Sequence, residues 1–293
     1  MKISTSLNVF GTDYERAIPV CKAAGFEALD FNYWDHQKDV LTKTREEEEA
    51  WAHHIREIAD ENGIRFTQMH GPVHGRLFQQ MVPGLDIESF LELAVRSIKT
   101  ASILGVPWVV LHSSGVSVQG EPHHEAKEFN VRFFRRLFPV MEQTGVGIAL
   151  ENFYDRPARP HTVRRTYCAL FDELIELIDA LDHPLVGGCL DTGHAHEQGI
   201  HPNEIRKFGH RLKATHINDN DGVQDQHLLP YQGSIDWTAV MSALDAIDYR
   251  GDFTYETHQS IRVLPNALRE EGLRYAVALG HYLAGLKGES KEA

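Results

Sequence analysis

The chain has 293 residues, with 29 Lys and Arg against 42 Asp and Glu, a formal net charge of −13. A hydrophobic share of 42% beside 24% charged residues is that of a globular protein and excludes disordered and collagen-like architectures. The acidic balance argues against a general nucleic-acid or anionic-membrane surface, because such partners need a positive field.

In chain order, short apolar runs alternate with longer amphipathic ones. The first strand is read at Lys2–Asn8, followed by a helix at Asp13–Ala24 with an Asp cap and Gly25 as its stop. Strand two, Ala28–Asn32, precedes a helix at Arg45–Glu61, whose acidic run Glu46–Glu49 suits the first turn and reads as a solvated face. Strand three is Arg65–His70, then a helix at Asp86–Leu104 with Phe90, Leu93, Ala94, Ile98 and Ala101 at helical spacing. Strand four, Trp108–His112, leads to a helix at Glu125–Gln143. Strand five, Gly147–Glu151, is followed by an Arg-bearing loop (Asp155–Thr166) and a helix at Tyr167–Leu181. Strands six to eight are Val186–Leu190, Lys213–Ile217 and Phe253–Glu256, with helices at Pro202–Phe208, Trp237–Ile247 and Asn266–Leu283.

Eight β-α pairs with no linker between them predict one domain over residues 1–293, with parallel strands and right-handed crossovers. A closed (β/α)8 TIM barrel is the expected α/β fold. An open doubly wound sheet is the alternative, but Asn8-Val9-Phe10-Gly11 is not a Gly-rich nucleotide turn. Cys21, Cys168 and Cys189 form no CxxC pair, which supports neither a disulfide framework nor a thiolate zinc site. Met1–Gly11 lacks the apolar stretch of a signal peptide, and no run of about 18 apolar residues exists. The expected setting is the cytoplasm, with reduced thiols.

In a barrel the active site lies at the carboxyl ends of the strands. Here strands three to eight finish on His70, His112, Glu151, Asp191, His216 and Glu256. Any one of these could be a hydrogen-bonded core residue or a loop cap. Six in succession on one rim converge on one volume, where uncompensated charges repel or are desolvated. A divalent cation compensates them, and O and N donors of this kind suit Mn, Co, Fe or Zn. Asp191-x-x-His194 and Asp225-Gln226-His227 add His194, Asp225 and His227 to the set. Trp34 and Phe153 are read as stacking surfaces for a ligand or as rim packing. Arg156, Arg159, His161, Arg164 and Arg165, with His74 and Arg76, are read as anion-recognising groups or as solvated loop.

The segments Val110-Leu111-His112, Leu150-Glu151-Asn152, Cys189 to His194, His216 to Asp219 and Asp225 to Trp237 resemble the xylose-isomerase-like barrel superfamily. That group holds sugar isomerases and epimerases together with endonuclease IV-type abasic-site nucleases, and the resemblance runs from about Lys2 to about Gly285. The epimerase branch implies one metal held by Glu151, Asp191, His216 and Glu256, with Glu151 and Glu256 as the acid/base pair. The nuclease branch implies a three-zinc site that adds His70, His112, His194, Asp225 and His227. The resemblance thus implies one to three divalent ions (Mn, Co or Zn), a carbohydrate substrate and a homo-oligomer. Substrate contacts fall to His194, Asn152, Asn218, Trp34 and Arg156. The expected reaction is proton abstraction next to a carbonyl of a sugar or sugar phosphate, through a metal-stabilised enediolate. The alternatives are a multi-zinc phosphodiester hydrolase, a keto-glycoside lyase and a non-enzymatic metal- or sugar-binding barrel. The nearly neutral second loop, with Trp34, Asp35, His36, Lys38, Asp39 and Lys43, and the net charge argue against the nuclease.

Overall fold

The computed structural model describes residues 1–73, 87–114, 116–117, 123–159 and 162–289. Eight parallel strands form its centre: β1 (Ile3–Ser6), β2 (Ala28–Asn32), β3 (Phe66–His70), β4 (Trp108–His112), β5 (Gly147–Glu151), β6 (Val186–Asp191), β7 (Leu212–His216) and β8 (Phe253–Tyr255). They pair in sequence order from β1 to β7, and β8 pairs with β1. The ring closes through Ile217. Its N–H donates to Thr254 O at 2.7 Å, and its carbonyl accepts from Glu256 N at 3.0 Å. This is the (β/α)8 barrel that the strand–helix alternation predicts, and each strand lies within two residues of its expected bounds.

The helices form for local reasons and stay for packing reasons. Asp13 caps the helix Tyr14–Ala24 by accepting from Arg16 N, and Gly25 ends it in the left-handed region. Thr44 and Glu47 form a reciprocal capping box ahead of Arg45–Glu61. The helix Ile87–Leu104 buries Phe90, Leu93 and Ile98 against the barrel, each contributing about 1.5–3 kcal/mol.

Four expectations change. The helix read at Glu125–Gln143 is two helices, His123–Arg135 and Phe138–Thr144. Pro139 sits at the start of the second, where it has no N–H to give and its ring obstructs the carbonyl four residues earlier. The loop Asp155–Thr166 contains an antiparallel ribbon, Arg156–Arg159 against Thr162–Thr166, to which Val116–Ser117 adds a third strand. The helix read from Tyr167 begins only at Phe171. The acidic run is not wholly solvated: Glu48 is 2% exposed, ion-paired with Arg96 Nε at 2.6 Å and bonded by Tyr33 Oη and Thr100 Oγ1.

Side chains alternate across each strand, so every second residue points into the barrel. Below the rim, the β4–β7 side is apolar, with Val110, Ala149, Cys189 and Ala214 in one cluster. The β8–β3 side is polar and equally buried, with Ser4, Asp30, Gln68 and Thr254. No helix among the described residues is long and apolar enough to cross a membrane.

Candidate metal centre

The strand ends deliver their ionisable groups to one point. Ligand atoms of Glu151, Asp191, His216 and Glu256, one from each of β5 to β7 and the residue after β8, all lie within 4.8 Å of one another. All four are buried. Two overlapping groups meet the same limit: His70, His112 and Glu151, and His70, His216 and Glu256. Glu151 is the hub. Its Oε1 lies 2.9 Å from His216 Nδ1 and its Oε2 2.9 Å from His112 Nε2. The His70 and His216 rings stack at 5.3 Å, 7° from parallel.

Burial works against charge at every one of these groups, and their partners overcome it at some and not at others. Burial lifts the Glu151 carboxyl, but His216 and His112 outweigh it and hold the group well below the usual carboxylate range. Burial raises Asp191 to about 6 despite His194 beside it. Burial lowers His70 to about 4, so that imidazole is neutral at pH 7 and available as a ligand. Three carboxylates with imidazoles that ligate in their neutral form, and no thiolate in the set, are the donor chemistry of a divalent Mn, Co or Zn site. The residues therefore fit such an ion.

His194, Asp225 and His227 form an outer group on the same rim. Asp191 caps the short helix Thr192–Glu197 by accepting from His194 N at 2.7 Å, which is why the D-x-x-H spacing brings both residues to one site. His194 Nε2 is 3.7 Å from Asp225 Oδ2, and His227 Nε2 is 3.2 Å from Asp225 Oδ1. Burial opposes the charge of Asp225, but the neighbouring His194 and His227 imidazoles drive its carboxyl far below the usual range. His227 rises to about 9 against burial, chiefly through Asp225.

The loop carrying these two residues is braced from within. Asp219, at the end of the β7 segment, accepts from Tyr231 N, Ile235 N and Trp237 Nε1. Asn152 and Asn218 are fully buried, and their amides serve Asp191: Asn152 bonds its backbone N–H and carbonyl, and Asn218 Nδ2 donates to Oδ2 at 2.9 Å. Their amide groups thus orient a candidate ligand and face no open volume. Gly193 makes the second contact feasible, since a Cβ there would collide with Asn218 Oδ1.

Trp34 stands on the helical turn Tyr33–His36 after β2, its ring 6.4 Å from that of His70. Phe153 lies between His112 and His194, with ring centroids 5.1 and 5.0 Å away, and Tyr154 stacks behind it. Arg156 lies in the antiparallel ribbon. Its side chain, and those of Arg159 and Arg164, are outside the described residues, as are His74, Arg76 and His161 altogether. Arg165 is paired with Asp155 and Glu173 and faces its own scaffold.

Sequence reasoning missed Asp30. It is fully buried inside β2, and burial lifts its carboxyl to about 7. Its signal was an acid at an inward position of the otherwise apolar run Ala28-Leu29-Asp30-Phe31.

A family model described as xylose isomerase-like TIM barrel matches residues 18–279. The chain belongs to that family. Among curated relatives, the uncharacterized protein y4fM of Sinorhizobium fredii is 33% identical over 186 residues, 60% of this chain and 55% of that protein. Inosose isomerase of Bacillus subtilis is 28% identical over 160 residues, 52% of this chain and 54% of that protein. The matches thus span about half the length of these relatives. A solved structure of IOLI protein with a binding zinc atom superposes with a TM-score of 0.73 at 20% identity. It covers 97% of this chain and 98% of that one, and shares the fold.

Proposed function

We propose that the chain is a divalent-metal-dependent sugar isomerase or epimerase that moves a proton next to a carbonyl. The observation that carries this reading is the pair of buried glutamates, Glu151 and Glu256, brought from β5 and the end of β8 to one point with Asp191 and His216. The family and its isomerase relative support the same reaction class.

Glu151, Asp191, His216 and Glu256 hold the cation in this account. A divalent ion bound there supplies polarisation of the substrate's carbonyl oxygen and offsets the charge that develops on it. The protein does the rest. Glu151 and Glu256 approach from different strands, so one removes the proton from one face of the reacting carbon and the other returns it. Asn152 and Asn218 keep Asp191 aimed inward. Phe153 and Trp34 provide apolar walls for the sugar and exclude water from the reacting carbon, and His194 meets its hydroxyls. In deuterated water, wild-type protein is expected to place deuterium at the carbon beside the carbonyl of its ketose. Retained exchange in both Glu151→Gln and Glu256→Gln rules the acid/base assignment out.

One observation favours a second reading. His70 and His112 with Glu151 offer a place for a further cation, and His194 and His227 flank Asp225 on the same rim. A three-zinc phosphodiester hydrolase uses such a set. It predicts three zinc ions per chain and cleavage of an abasic duplex that chelation abolishes, whereas the isomerase predicts one ion and no cleavage.

A further inference from the structure

The barrel interior holds two buried groups that lack a hydrogen-bonding partner and are chemically complementary. One is Asp30, with both carboxylate oxygens unpartnered among the described residues; the other is the Nε2 atom of His216. Both residues are fully buried. Asp30 belongs to the polar β8–β3 side, and His216, at the end of β7, reaches that side through the His70 ring. Asp30 pairs in register with Gln68 of β3, and two residues further on Asn32 pairs with His70. The His216 ring lies stacked on that same His70. Ser4 and Thr254 face each other in register on β1 and β8, and their hydroxyls are also buried and unpartnered.

Packing alone does not account for an acid in this position. The other side of the interior is filled by Val110, Ala149, Cys189 and Ala214. A buried carboxylate costs several kcal/mol unless it is hydrogen-bonded or paired. Native interiors rarely leave such groups unsatisfied. His216 turns Nδ1 toward Glu151 and Glu256, at 2.9 and 3.6 Å. A neutral imidazole that offers Nδ1 to a cation carries its proton on Nε2, and that N–H needs an acceptor.

Resting on the metal reading of the site above, we propose that Asp30 is the outer positioning partner of the metal centre. Its carboxylate accepts the His216 Nε2–H through solvent held by Ser4 and Thr254, and so fixes Nδ1 as the nitrogen presented to the cation. Hydroxyls both donate and accept, so Ser4 and Thr254 can complete such a bridge in either sense. The Cys189 thiol also packs against the His216 imidazole. A thiol is a weak partner, and Cys189 is the competitor that the experiment must separate.

The experiment is calorimetric titration of Mn2+ or Zn2+ into the chelator-stripped protein. Asp30→Leu is expected to bind about 10–100-fold more weakly than wild type, the usual cost of losing an outer partner of a metal-bound histidine. Asp30→Asn keeps an acceptor oxygen and is expected to lose less, and Cys189→Ala to stay within about twofold of wild type. Unchanged affinity in both Asp30 variants, with tight binding by wild type, overturns the inference and leaves the metal reading standing. Loss of affinity in Cys189→Ala alone overturns it in favour of the thiol. Absence of binding by wild type removes the metal reading and this inference with it. Imidazole 15N NMR of the metal-loaded wild type tests the same point without relying on a variant that must fold. A protonated Nε2 of His216 supports the proposal, and a metal-bound Nε2 overturns it.

Discussion

The two halves of the barrel rim solve the burial of polar groups in opposite ways. From β5 to β8 the strands end on Glu151, Asp191, His216 and Glu256, whose charges lean on one another, on neighbouring imidazoles and, at Asp191, on Asn218 Nδ2 and the His194 N–H. On β1 and β2 the corresponding groups are neutral, and Ser6 Oγ simply donates to Asn32 Oδ1 at 2.6 Å. The charged half gathers the donor atoms of a candidate metal site, whereas the rim groups of the neutral half carry no charge, and there Asn32 Nδ2 is buried without a hydrogen-bonding partner among the described residues. Trp34, which follows the neutral half, is held from behind. Tyr33 beside it is bonded to buried Glu48, Glu48 is paired with Arg96, and His36 at the end of the same turn is hydrogen-bonded to Tyr14. The difference places an ionisable cluster on one side and a braced aromatic turn on the other.

That division can be broken at four points. Glu151→Gln or Glu256→Gln is expected to lower proton exchange by about 10²–10⁴-fold, the usual contribution of a positioned acid or base. Solvent deuterium uptake reads this directly, and an effect below tenfold in both denies the charged half its role. Glu48→Ala strands the Arg96 guanidinium in the interior and is expected to cost about 3–5 kcal/mol in chemical denaturation. A loss below about 1 kcal/mol means the turn is not anchored there. Adding the preferred cation at 100 times its Kd is expected to stabilise wild type by about 2.7 kcal/mol. Asp191→Ala should lose that increment, and Ser6→Ala should keep it. Ser6→Ala itself is expected to cost only about 0.5–1.5 kcal/mol, one neutral hydrogen bond. A change in metal affinity with that variant would erase the contrast between the halves.

Much of the charged half is legible in the sequence because it is written at strand ends. The alternation of apolar and amphipathic runs places β3 to β8, and the rule that barrel sites sit at carboxyl ends selects His70, His112, Glu151, Asp191, His216 and Glu256. The structure brings these six onto one rim. Glu48 is not legible this way, because its burial depends on Arg96, 48 residues away on another helix. Asp30 escapes because one acid within a short strand forms no motif or spacing, and its inward position is set by pairing with β1 and β3. The ribbon Arg156–Arg159 with Thr162–Thr166 reads as loop, since proline and arginine carry little strand signal and its pairing is antiparallel within a parallel fold. The amides of Asn152 and Asn218 read as substrate contacts from their motifs. Only the folded geometry reveals that they are spent on Asp191.

The central claim is that four strand-end side chains hold one divalent cation for proton transfer. Metal content per chain, measured by elemental analysis of purified wild type beside Asp191→Ala and His216→Ala, tests it most directly. One equivalent of a divalent metal is expected in wild type and much less than one in both variants. Wild-type protein that binds no divalent metal, or variants that retain a full equivalent, would contradict it.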